Sequence, residues 1–248
     1  MFDTYEEIFA ARAGSYQHAM EMLPGARDRE FLAMIDPLQG ITGKTVCDMP
    51  AGGGYLHRHL PGDVRYVAVE PSETFIANCP TEPGCSALRA PIERVPLETG
   101  SVDHVVSLAG LHHCPDLGAV FREMRRLVRN GSTVVIADVE QGSGPAEFLN
   151  IYVDKHNPLG HRGTFLDQAT PLLLRAARLE PVEDGLMEIP WSFDNSRQAG
   201  AYCGALFGIQ GVSPDEIAEA MQQVLGLCDG PGTYNVRWEL RRIICTAI

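Results

Sequence analysis

Between residues 44 and 139 the chain alternates short apolar runs with stretches of helical period, and this alternation restricts the fold more than any other feature. Lys44–Asp48 and Val64–Glu70 read as strands that each end in an acid, and Val102–Leu108 and Ser132–Val139 as strands rich in β-branched residues. Between them, Tyr55–Leu60 opens a helix, and Pro71-Ser72-Glu73 opens another with Ser72 as N-cap. Asp116 caps a third helix, whose apolar positions Leu117, Val120, Phe121, Met124, Leu127 and Val128 recur at helical spacing. Its arginine-rich last turn suits the negative end of the helix dipole, and Asn130-Gly131 is predicted to stop it. Parallel strands need crossover connections, and those crossovers are right-handed. The pattern therefore predicts an α/β fold: a doubly wound, mainly parallel sheet with helices on both faces.

The flanks are read as one domain with that core, spanning 1–248. Residues 1–40 form an N-terminal helical cap, with helices over 5–20 and 26–35 broken at Pro24-Gly25. Residues 41–140 are the ligand-binding core. Periodicity is lost over 141–168, which reads as an insertion. Residues 169–248 return to strands, with a helix over Ala169–Leu179, an extended run at 182–193 and a helical insertion at 194–228. Ser213-Pro214-Asp215-Glu216 is a strong helix start, and Tyr234–Ala247 is predicted as a last, antiparallel strand.

A net charge of −12 opposes phosphate backbones and anionic membranes, so neither a nucleic-acid nor a membrane partner is predicted. No apolar run approaches the ~20 residues a membrane span requires, and the acidic N-terminus resembles no targeting peptide. The seven cysteines are scattered without Cys-x-x-Cys spacing, as for reduced thiols in a cytoplasmic protein, and neither disulfides nor metal are expected from them.

The turn after the first strand, Met49-Pro50-Ala51-Gly52-Gly53-Gly54, lets backbone approach a ligand closely. A dinucleotide site would place a third glycine where His57 stands, and Asp48 would face a pyrophosphate unfavourably. A cationic ligand fits Asp48 better. Alone, the loop is compatible with a cofactor site and with a plain tight turn.

Five motifs in order resemble the class I S-adenosylmethionine-dependent methyltransferases. Asp48–Gly54 resembles their acid-x-Gly-x-Gly-x-Gly loop, and Glu70 stands where their second acid ends the next strand. Val95-Pro96-Leu97-Glu98-Thr99-Gly100-Ser101-Val102-Asp103 resembles a further family pattern, as do Ser107–His113, with its hydrophobic-His-His ending, and Arg122–Ser132. Pro50 departs from the pattern by replacing the first glycine, and Pro91 by standing where an acid often meets the adenine amine.

The resemblance implies a Rossmann-like fold and S-adenosylmethionine as cofactor, with S-adenosylhomocysteine as product. It implies a cofactor site of Asp48, Pro50, Ala51, Gly52, Gly54, Glu70, Pro71, Ala90, Pro91, Ile92, Leu108 and Ala109. Glu70 would take the ribose hydroxyls and Asp48 the ligand's ammonium group or the loop itself. The first helix would close over the cofactor through Tyr16, with His18 a second candidate and Tyr5 and Phe9 giving the helix an aromatic side. The sulfonium already activates the methyl group, so in-line positioning can supply most of the acceleration, and a base is needed only for a protonated acceptor.

The acceptor is expected to be a small molecule, methylated on O, N or C between the cofactor and two poorly periodic segments, 140–166 and 191–212. His161 and His113 are the candidate catalytic residues, and His112, Tyr152, His156, Arg162 and Trp191 the candidate acceptor contacts. Adjacent side chains are expected to diverge, so His112 and His113 are read as cofactor wall or acceptor contact rather than as a metal pair. The alternative is a protein of the same fold that binds the cofactor in a regulatory or non-methylating role.

Overall fold

The computed structural model describes residues 5–248, with side chains from residue 13 onward. A seven-stranded sheet runs β1 (Thr45–Asp48), β2 (Arg65–Glu70), β3 (Cys85–Arg89), β4 (Val102–Leu108), β5 (Val128–Asp138), β6 (Leu179–Phe193) and β7 (Tyr234–Ala247), in the spatial order β3-β2-β1-β4-β5-β7-β6. The first five pair in parallel, whereas β7 lies antiparallel to both β5 and β6. The helices are α1 (Tyr5–Met22), α2 (Asp28–Ile35), α3 (Glu73–Ile76), α4 (Leu117–Leu127), α5 (Gly144–Glu147), α6 (Asp154–His156), α7 (Thr170–Ala176), α8 (Ser196–Phe207) and α9 (Pro214–Val224). None of the described helices is long and apolar enough to cross a membrane. This is the predicted Rossmann-like architecture, with the last strand antiparallel.

The period of two along a strand divides the core between the two faces of the sheet. Val46, Ala68, Val106 and Val135 point into a layer with Phe31, Met34, Phe148, Trp191 and Tyr202. Cys47, Val67, Val105 and Val134 point into the other, against Phe121, Met124, Leu127 and Leu174. A side chain the size of Phe121, wholly buried, contributes about 1.5–3 kcal/mol by leaving water. In α1, Ala13, Ala19 and Met20 are wholly buried, so this helix belongs to the core as well as to any cover over a ligand. The side chains of Tyr5 and Phe9 lie outside the described side chains.

Several boundaries differ from the sequence reading. Helix α4 stops at Leu127 because Val128 is already extended and paired with Val102; Asn130-Gly131 then sits in a register shift of β5, where Gly131 takes a φ of 77°. The segment after Gly54 forms only a short 3-10 helix, Tyr55–His59. The aperiodic insertion is helical: α5, a π-helical stretch Phe148–Val153 and α6 follow without a break. A widened π turn advances by less than the ~100° per residue of an α-helix, which hides the 3.6-residue period from inspection. Within 194–228, where the sequence predicts a helical insertion despite its poor period, lies helix α8, buried along much of its length through small residues such as Ala199 and Gly200. The capping box of Ser213 and Glu216 forms as predicted.

Helices α8 and α9 approach most closely at Gly200, where an added Cβ would stand 1.8 Å from the Pro214 carbonyl oxygen. Backbone cannot yield as a flexible side chain can. Gly200→Ala is expected to cost about 1–3 kcal/mol, the range for overpacking, measurable as a lowered urea midpoint with an unchanged slope.

Candidate functional site

In open α/β sheets ligands bind beyond the carboxyl ends of the strands, where the strand order reverses. Here that point lies between β1 and β4. A cleft of about 520 Å³ opens there, lined by Asp48, Pro50, Ala51 and Gly52 from the loop after β1, and by Leu108, Ala109 and Gly110 from the end of β4. Gly52 and Gly54 take left-handed φ angles of 53° and 73°, a conformation that a Cβ disfavours. The Met49–Pro50 peptide is cis. The Pro50 ring packs against Gly110, where a Cβ would stand 2.3 Å from its Cγ. Pro50 thus occupies the family's glycine position by fitting a glycine on the neighbouring strand end.

Two buried acids hold this loop. The Glu70 carboxylate is wholly buried and accepts hydrogen bonds from the Gly52 N–H at 2.9 Å and the Ser72 N–H at 2.8 Å. Asp48 accepts the Tyr66 hydroxyl at 2.7 Å. Burial pushes the Asp48 carboxyl up to about 7, against the Tyr66 hydrogen bond, which favours the charge.

The outer wall of the cleft comes from the N-terminal helices. Tyr16 lies edge-on to Phe75, with ring centroids 5.3 Å apart, and its hydroxyl accepts from Arg27 Nη1 at 2.5 Å. Arg27 and Glu30 are buried and joined by two hydrogen bonds, of 2.5 and 3.0 Å. The Arg27 guanidinium also lies over the Trp191 ring, 5.4 Å from its centroid. Losing one partner of so buried a pair costs about 3–5 kcal/mol.

A second cavity of about 490 Å³ adjoins the first and shares Tyr16, Arg27 and Ala109 with it. Its walls are Trp191, Trp238, Phe207, Leu206, Leu149 and Val139, and its polar side is His112, His113 and His161, with Glu30 beside Arg27. Trp191 and Trp238 stack at 4.3 Å. Both indole N–H groups are buried without a hydrogen-bond partner among the described residues, a state that costs free energy unless something else accepts from them. Ala109, at the junction of the cavities, has a φ of 50°. Such an angle is uncommon for a residue that carries a Cβ.

Of the cofactor residues expected from the sequence, Tyr16, Asp48, Pro50, Ala51, Gly52, Leu108 and Ala109 meet in the first cleft. Glu70, Gly54, Pro71, Ala90, Pro91 and Ile92 do not line it; Ala90 and Ile92 are buried and Pro91 is exposed. His18 is exposed and does not line the cleft. Of the acceptor-side residues, His112, His113, His161 and Trp191 share the second cavity. Tyr152, His156 and Arg162 do not: Tyr152 stacks on Phe148 and His156 packs on Tyr152, whereas Arg162 is 82% exposed and 3.8 Å from Asp154. The π turn carries the first two to the side of α9, and the third points into solvent.

The expectation that His112 and His113 diverge fails as well. Their ring centroids are 4.1 Å apart, because a 3-10 turn at Leu111–His113 carries both toward His161. Sequence reasoning missed Arg27, Glu30 and Trp238 as parts of the site, Trp238 because it reads as core. Arg27-Asp28-Arg29-Glu30 has the look of a solvated helix start, and nothing in its spacing marks the first and last as buried.

Residues 47–136 match the family model described as a methyltransferase domain. Among solved structures, the chain is similar to a candidate methyltransferase of Haloferax volcanii in complex with the Trm112 methyltransferase activator, with 19% identity over 100% of this chain and 99% of that one and a TM-score of 0.66. It is similar to a SAM-dependent methyltransferase of Thermotoga maritima, with 17% identity over 98% and 99% of the two chains and a TM-score of 0.64. It is also similar to the geranyl diphosphate C-methyltransferase of Streptomyces coelicolor, solved with S-adenosylhomocysteine, with 14% identity over 90% and 79% and a TM-score of 0.59.

Asp48 gives the site a measurable signature. Its proton is held more tightly in the folded state, so the stability it contributes is full below its unfolded pKa of about 3.9. That contribution is lost as the pH rises through its folded value of about 7. Asp48→Asn removes the titration. Melting temperatures of the two proteins should diverge from pH 5 to pH 8 in favour of the variant, by at least the ~2–4 °C that about 1 kcal/mol gives in a chain of this size. A gap independent of pH would show that Asp48 does not titrate in this window.

Proposed function

We propose that this chain, which carries the methyltransferase domain of the class I S-adenosylmethionine-dependent superfamily, transfers the methyl group of S-adenosylmethionine to a small-molecule acceptor held in the second cavity. The observation that carries this reading is the junction at Ala109. Two cavities of different character, one beside the glycine loop and one aromatic, share the small residue Ala109 along with Tyr16 and Arg27. A methyl group passing between two bound molecules needs such a meeting point, with the reacting atoms about 3–3.5 Å apart and in line.

On the cofactor side, the ammonium group of the methionine part would sit against Asp48 and the loop backbone of Ala51 and Gly52. The positive ligand favours the ionised carboxylate, so cofactor affinity would rise with pH toward 7 and then level. Glu70 already holds two backbone N–H groups, yet each carboxylate oxygen has a second lone pair for a ribose hydroxyl. Pro71, Ala90, Pro91 and Ile92 would flank the adenine, with the N–H of Ile92 as a donor to the ring. Tyr16 and Arg27 would close the cofactor off from water.

On the acceptor side, the stacked indoles and Phe207 suit a flat or apolar body, and the two unpartnered indole N–H groups suit an oxygen upon it. A pocket recessed among Trp191, Phe207 and Trp238 favours a small acceptor over a nucleic acid or a membrane lipid surface, in keeping with the acidic net charge, and the scattered thiols suit the cytoplasm. The Streptomyces coelicolor enzyme of the same fold is named for a small acceptor, geranyl diphosphate. His161 and His113 are the groups placed to take a proton from a hydroxyl or amine, or to orient it.

Calorimetry with S-adenosylhomocysteine tests the cofactor half. Glu70→Gln should raise the dissociation constant by about 10- to 150-fold, equivalent to the ~1.5–3 kcal/mol of hydrogen bonds to a charged group. Unchanged affinity would remove Glu70 from the ribose site, and a native protein that binds neither cofactor nor product would end the reading. Labelled methyl appearing in a small-molecule extract, and absent with Ala109→Leu, would support transfer at the junction.

A further inference from the structure

We propose that His112, His113 and His161 form a three-imidazole site for one divalent transition metal of the zinc class, with its open positions turned into the second cavity. One ring nitrogen of each residue lies within 4.8 Å of the others. In a tetrahedral site with Zn–N bonds of ~2.0–2.1 Å, ligand nitrogens stand roughly 3.3 Å apart. Small side-chain rotations close the difference.

The supporting contacts select the coordinating atoms. His112 Nδ1 lies 2.6 Å from Asp138 Oδ1, so it carries the proton and leaves the Nε2 lone pair for a metal. Asp138 is wholly buried and is itself fixed by the backbone N–H groups of Leu111, His112 and Val139. His161 Nδ1 lies 3.0 Å from Asn150 Oδ1. That oxygen also accepts the Gly163 N–H at 2.8 Å, while Asn150 Nδ2 donates to the Gly163 carbonyl at 3.0 Å, so the amide orientation is determined and His161 too is an Nδ1–H donor. Imidazoles that donate one N–H to a carboxylate or amide oxygen and offer the other nitrogen are the usual arrangement of metal-binding histidines. Three protein ligands with a position left for a small molecule is the pattern of reactive rather than structural zinc.

Resting additionally on the methyltransferase reading, the metal would take an anionic oxygen or sulfur of the acceptor, across the cavity from the indole rings. Binding itself does not depend on that reading and is tested without turnover. Protein stripped with chelator and titrated with Co(II) should bind one equivalent and develop the visible bands of a four- or five-coordinate ion. His161→Ala and His113→Ala should lose saturable binding, and Asn150→Ala should weaken it by about 10- to 100-fold.

A second group, His57, Glu82 and Cys85, could also gather a cation, so His57→Ala is the control and should leave the titration intact. No Co(II) bands in the native protein, bands that survive His161→Ala, or bands lost with His57→Ala would each overturn the proposal. Circular dichroism and S-adenosylhomocysteine binding of every variant report folding and the cofactor site separately. Native protein that binds S-adenosylhomocysteine but takes up no Co(II) would therefore refute the metal alone.

Discussion

Three carboxylates buried at the carboxyl edge of the sheet set the geometry on which the rest depends. Asp48, Glu70 and Asp138 end β1, β2 and β5, and each is at most 4% exposed. A buried acid must be hydrogen-bonded or neutralised, and each finds its partners mainly outside its own strand. Glu70 reaches across to Gly52, Asp48 to Tyr66 on β2, and Asp138 to Leu111 and His112 beyond β4. Solving the burial problem therefore shapes the loops. The glycine turn is drawn against β2, and the turn after β4 is drawn against β5, which leaves the cleft between them. The same bonds make the cleft polar at its floor without filling it.

What was legible in the sequence follows from which of these forces are local. The parallel core could be read because strands buried on both faces are continuous apolar runs, and Asp48 and Glu70 stand out as acids that end them. The glycine loop could be read because left-handed φ angles demand glycine wherever the chain goes next. The meeting of His112, His113 and His161 could not. It depends on a 3-10 turn after β4, a π turn after β5 and the hydrogen bond from His161 to Asn150, none of which has a spacing of its own. The same π turn explains why Tyr152 and His156, reasonable acceptor contacts by position, pack under α9. β3 escaped notice because Cys85–Arg89 is an edge strand of mixed residues with no two-residue alternation.

Arg27 shows the limit most clearly. A solvated reading of Arg27-Asp28-Arg29-Glu30 is the ordinary one, and the two middle residues do face outward. Helical spacing of three puts Arg27 and Glu30 on one side, but only the tertiary arrangement turns that side inward, beneath Trp191 and Tyr16. Burial opposes the Arg27 charge, yet Glu30 and Tyr16 outweigh it and hold the guanidinium pKa above its ordinary value. The pair is thus a permanent dipole in the partition between the two cavities, and its hydrogen bond to Tyr16 ties α1 to α2 just where the two ligands would meet.

That position has a consequence for order of binding. The first cleft and the second cavity share Tyr16 and Arg27, so, under the proposed function, neither ligand could press on its own boundary without moving the other's. Tyr16 also contacts Phe75 and Tyr55 on the cofactor side, whereas Arg27 faces Trp191 on the acceptor side. A cofactor that packs against Tyr16 would steady Arg27 through their hydrogen bond and so preform the aromatic wall. The entropy of ordering that wall would then be lost once rather than twice, which favours a second ligand over the first. Coupling of this kind is reciprocal in free energy. Cofactor affinity and acceptor affinity would rise together, and both would fall if the bond between Tyr16 and Arg27 were removed.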